Sequence, residues 1–244
     1  MFVGMISALG WGSLAASSLV IGALLAFARK WPDRQVGFVL AFGAGALISA
    51  VSFELAEEGI AIGSLRSVAI GLGVGAVTYF LADGLVSRRD KPGREGRTET
   101  SDSGTSLALG AFLDGVPEQM VLGIGLAGGS GVSVSLVVAI FVSNLPEAIG
   151  SASEMRAAGE PARRIVLLWV AVAAVCTIAT IAGYAIADAV SDTVKAAIDG
   201  FAAGALLVML VDSMIPEARQ KAGRAAGLVT VLGFAVAAGL SALS

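Results

Sequence analysis

Asp114-Gly115-Val116-Pro117-Glu118 and Ser143-Asn144-Leu145-Pro146-Glu147 lie 29 residues apart, each inside a long apolar segment and each setting a proline beside a carboxylate. A charged carboxylate near the centre of a membrane helix costs about 2.5–3.5 kcal/mol on insertion scales, so it points to a function or a partner. Proline has no N–H to donate, and its ring crowds the carbonyl four residues back, here those of Leu113 and Val142. Each stretch therefore joins a carboxylate to a loosened backbone oxygen at similar depth. Two such helices side by side make an oxygen-lined cation site.

The chain around these motifs has the composition of a membrane protein. Of its 244 residues 56% are hydrophobic and only 14% charged, with a mean hydropathy of +0.86; a soluble domain carries about 25% charged residues. Crossing a bilayer takes about 20 mostly apolar residues. By that measure the chain reads as eight transmembrane helices, roughly 4–28, 36–56, 64–86, 105–127, 132–154, 164–188, 196–216 and 225–243, in one all-α domain covering 1–244. No basic residue precedes the first apolar run, which argues against a cleaved signal peptide. Proline, glycine and charge cluster in 87–104, which reads as a solvated cytoplasmic loop.

The basic residues orient this array. With the N-terminus outside, the inner side receives Arg29, Lys30, Arg34, those of loop 87–104, Arg156, Arg163, Arg164, Arg219, Lys221 and Arg224. The outer side receives Arg66 and Lys195. Short cytoplasmic loops carry this excess of Lys and Arg, so both termini are expected outside a cell (inner) membrane. Internal similarity adds a second pattern. Phe42-Gly-Ala-Gly-Ala-Leu47 in the second segment resembles Phe201-Ala-Ala-Gly-Ala-Leu206 in the seventh, and acidic residues follow each: Glu54, Glu57 and Glu58, then Asp212 and Glu217. Inverted repeats of this kind, with the substrate held at the midplane, recur in transporters.

Several chemistries are excluded. The chain has no histidine, and its single cysteine, Cys176, lies in an apolar run, so no disulfide framework or Cys-rich metal motif exists. A net charge of −3 does not suggest nucleic acid as a partner. Ser143 and Glu147 share a helix face, but no histidine or lysine stands by to activate the serine, and neither an enzyme nor an organic cofactor is indicated. The remaining candidates are oxygen donors. Asp114 and Glu118 share one face, Ser143 and Glu147 another, and Asn144 is turned about 100° from Ser143. Carboxylate, amide and hydroxyl oxygens suit Mg, Ca or Mn and hold Zn or Fe less selectively. A carboxyl pair sharing one proton satisfies the same charges. Glu54, Asp212 and Glu217 stand near segment ends, as entrance or exit ligands or as solvated termini. Cys176 is a small buried hydrophobe or a soft ligand.

With these residues in view, the chain resembles the ZIP family of divalent-metal transporters, small bacterial type, over essentially its whole length. The resemblance rests on Asp-Gly-Val-Pro-Glu at 114–118, Ser-Asn-Leu-Pro-Glu at 143–147, and Asp212-Ser-Met-Ile-Pro216-Glu217. It implies a metal site between helices 4 and 5 bridged by Glu118 and Glu147, cation import and a homodimer. It also shows departures: Asp114 stands where a histidine is usual, Gly115 where an asparagine is, Ser143 where a histidine or glutamine is, and Cys176 or Thr177 near a missing helix-6 glutamate. Zinc as the substrate, and a binuclear centre, are weakened by those losses; manganese fits the harder donor set better. The alternatives are a ZIP-fold carrier for protons or a non-metal substrate, and a non-transporting membrane subunit or sensor.

Overall fold

The computed structural model describes residues 2–89, 102–127, 134–187 and 189–242, so most of the expected loop 87–104 and the tight turn at 128–131 lie outside the described residues. Among those residues the chain is helical without strands: α1 Phe2–Ala28, α2 Asp33–Ile62, α3 Leu65–Arg89, α4 Asp102–Ala127, α5 Val134–Ala157, α6 Ala162–Ala187, α7 Asp192–Ala222 and α8 Ala225–Ser241. Six of these, α1, α2, α3, α5, α6 and α7, are long and apolar enough to cross a bilayer; α8 is a shorter apolar helix. The chain is a multi-pass membrane protein.

Two helices outrun the apolar segments that announced them. The sequence pattern stops at 56 and 216, whereas α2 continues to Ile62 and α7 from Asp192 to Ala222. Hydropathy ends where the chain turns polar, but a helix ends where its backbone is broken. For α7 that is Gly223, at φ +65, a conformation glycine adopts without a Cβ penalty. Nor do the prolines interrupt their helices: α4 runs through Pro117 and α5 through Pro146. The irregular turns fall instead in α2, π-helical over Val51–Glu57, and in α7, π-helical over Leu210–Met214. Each begins nine residues after the phenylalanine of its Phe-x-Ala-Gly-Ala-Leu string. π-turns inside α-helices often accompany functional sites.

The helices pair as α2 with α8, α3 with α7, α4 with α6, and α1 with both α5 and α6; α5 also packs on α2. Lipid is as apolar as leucine, so such pairs depend on close backbone approach through small residues. Between α2 and α8, a Cβ on Gly45 would collide with the carbonyl oxygen of Thr230, and one on Gly233 with that of Phe42. Between α7 and α3, a Cβ on Gly204 would strike the oxygen of Leu72, and one on Gly75 that of Phe201. Large apolar side chains point outward, as Phe80 on α3 and Leu228 on α8 do. α2 is the most enclosed of the six long spans and α3 the most open.

Candidate metal centre

Glu118 lies just beyond Pro117 on α4 and is 2% exposed. On α5, Ser143 and Asn144 are equally enclosed, while Glu147, beyond Pro146, is half-buried. The side chain of Asp114 lies outside the described residues. Ser143 Oγ donates to the Ile140 carbonyl at 3.0 Å, and Asn144 Nδ2 has no hydrogen-bond partner among the described residues. A buried amide lacking a partner is costly and calls for an unseen one. Three helices converge at Ser143: a Cβ on Gly43 of α2 would stand 3.0 Å from Ser143 Cα and 2.9 Å from Met214 Cε of α7. Gly43 of α2 therefore faces both the turn that starts the second motif and Met214 at the end of the α7 π-turn.

The sequence reading passed over two residues beside Glu118. Gln119, the next residue on α4, accepts a hydrogen bond from Thr180 Oγ1 of α6 at 2.5 Å, and both are fully buried. One turn earlier on the same face, Cys176 Sγ lies 2.7 Å from where a Cβ on Gly115 would be. Cys176 and Thr180 are thus an i, i+4 pair on α6 matched to Gly115 and Gln119, the corresponding pair on α4. The signal was available, since a glutamine within an apolar run calls for a partner; its partner's identity was not.

The remaining acids separate. Glu54, in the π-turn of α2, accepts hydrogen bonds from Ser135 in the first turn of α5 and from Ser241 at the end of α8, the latter at 2.6 Å. Asp212 is exposed, whereas Glu217 is held by Lys221 at 2.6 Å. Asp199 of α7 escaped notice in the sequence; it is buried against Gly59, with Glu58 as its charged neighbour. Among the described residues no three of His, Cys, Asp and Glu converge as a metal-holding group. The donors carried beside Pro117 on α4 and beside Pro146 on α5 are carboxylate, amide and hydroxyl.

The family model of the ZIP zinc transporters matches residues 88–241, which include both proline-glutamate stretches and the acidic end of α7. The chain belongs to the ZIP family. No curated protein matches it. Membership makes divalent-metal transport the activity class.

Proposed function

We propose that this ZIP-family chain carries a divalent cation across the membrane, toward the cytoplasm, through a site between α4 and α5 made by Glu118 and Glu147 with Asp114, Ser143 and Asn144. The observation that carries this reading is the burial of Glu118, Ser143 and Asn144 in proline-bearing helices of a metal-transporter family. An ionised carboxylate so enclosed needs a counter-charge, and a cation exchanged between the two sides supplies one. The protein's work is to replace the water around the ion with its own oxygens and then to change which side the site faces.

The same reading takes α1 to α8 as eight spans with both termini outside, and sets α2 against α7, and α4 against α5, as members of inverted repeats. The π-turns of α2 and α7 at equivalent positions support this, as do the matched contacts Gly45–Thr230 and Gly204–Leu72, Gly233–Phe42 and Gly75–Phe201. The donor set favours a hard cation such as Mn over Zn. A homodimer in the lipid bilayer is the expected assembly.

Cation uptake by cells or proteoliposomes carrying wild type, Glu118→Gln and Glu147→Gln tests the assignment. Saturable uptake lost in both variants is the expected result. Uptake that persists in both variants overturns the site, and wild-type protein that moves no cation overturns the function.

A further inference from the structure

The end of α7 holds a cation of its own. Lys221 Nζ lies 2.6 Å from Glu217 Oε1, and the lysine side chain is only 20% exposed against 42% for the carboxylate. An ordinary i, i+4 surface pair keeps both heads in water and contributes little. Here the stem is gripped: a Cβ on Gly37 of α2 would stand 2.7 Å from Lys221 Cβ. The ammonium reaches α5, 3.9 Å from where a Cβ on Gly150 would be. Gly150 follows Glu147 by one helical turn. The charge thus sits where α2, α5 and α7 meet, beyond the Pro146-Glu147 turn on the inner side of the proposed topology. At the equivalent place on α2, Glu58 has Ile62 four residues on, so the two ends of the molecule differ.

We propose that Lys221 is a tethered counter-ion: it occupies the Glu217 carboxylate and so prevents the inner mouth from retaining the divalent cation released there. An ammonium and a metal ion compete for the same carboxylate oxygens, and the ammonium, covalently attached, is always present at high local concentration. A cation leaving the Glu147 turn meets a carboxylate already neutralised, and passes into water. The proposal rests on the transport reading above, but its test reads equilibrium binding at Glu217.

Mn2+ binding to the purified full-length protein is measured by calorimetry, in a Glu118→Gln/Glu147→Gln background, for Lys221→Met, Lys221→Arg and Lys221→Met/Glu217→Gln. Freed from its lysine, Glu217 is expected to raise Mn2+ affinity at least about fivefold, the low end of measured couplings between sites. Lys221→Arg, which keeps the charge, shows no gain, and adding Glu217→Gln removes the gain seen with methionine. No gain with methionine, or a gain that survives Glu217→Gln, overturns the proposal. If Lys221→Met does not fold, Lys221→Gln removes the same charge and is judged by the same outcomes. Failure of the transport reading shows separately, as wild-type Mn2+ binding unaffected by Glu118→Gln.

Discussion

Thr180 Oγ1 donates to Gln119 Oε1 across 2.5 Å at a place fully enclosed by α1, α4 and α6. Gly12 of α1 leaves room for the threonine, since a Cβ there would lie 2.7 Å from its Oγ1. A Cβ on Gly123 of α4 would collide with the Thr180 carbonyl oxygen. The bond ties α6 to the residue after Glu118, and so holds the rotation of α4 at the motif.

Removing that bond has a cost that can be measured. Among the described residues Gln119 Nε2 has no partner, and Thr180→Val takes away the hydrogen bond that Gln119 Oε1 accepts. Interhelical hydrogen bonds in membranes contribute about 0.6–2 kcal/mol, and a loss in that range is expected on unfolding in detergent. Thr180→Ser should recover most of it. Equal stability of wild type and the valine variant would show that the bond does not hold α4 to α6.

Two glycines on α3 make opposite predictions. Gly75→Ala sets a methyl against the Phe201 carbonyl and forces α3 from α7, at about 1–3 kcal/mol, the usual range for overpacking. Gly73→Ala meets nothing within 4 Å among the described residues and gains helix propensity, so it should be neutral or slightly stabilising. Thermal melts of the two variants decide; similar losses in both would refute the α3–α7 contact.

The cation preference follows from donor chemistry. With oxygen donors and no histidine, the protein should discriminate weakly for zinc, and Asp114→His should raise Zn over Mn, because imidazole favours Zn. Competition uptake on wild type and variant measures the ratio. A wild type selective for zinc, with the ratio unmoved by Asp114→His, would remove Asp114 from the site and bring Cys176 forward as the soft donor.

Topology is open to labelling, because the native cysteine, Cys176, is fully buried. Arg66→Cys is expected to react with an impermeant thiol reagent from outside, and Arg224→Cys from inside. Reaction of both from one side would end the eight-span arrangement.

Some of this was legible in the residues alone. Apolar runs of bilayer length located the helices of a membrane protein, because lipid demands an internally hydrogen-bonded backbone and an apolar surface whatever the neighbours are. The Pro-Glu pairs drew attention to α4 and α5 because ionisable groups in such runs are expensive, and the motifs led to the family that the comparison bears out. Of the expected loop 87–104, residues 87–89 and 102–104 are helical ends of α3 and α4, while 90–101 and the side chain of Asp114 lie beyond the described residues.

What the sequence determined by itself was the helical membrane class and the family, both set by local composition and motif. Only the tertiary structure decided that α4 packs chiefly on α6, that the π-turns lie in α2 and α7, that Cys176 faces Gly115, and that Lys221 reaches Gly150. Hydropathy cannot choose helix partners, since burying an apolar face against protein or against lipid tails is nearly equivalent. The choice falls to close approach at small residues and to the few polar side chains that must find one another, and both depend on residues far apart in the chain.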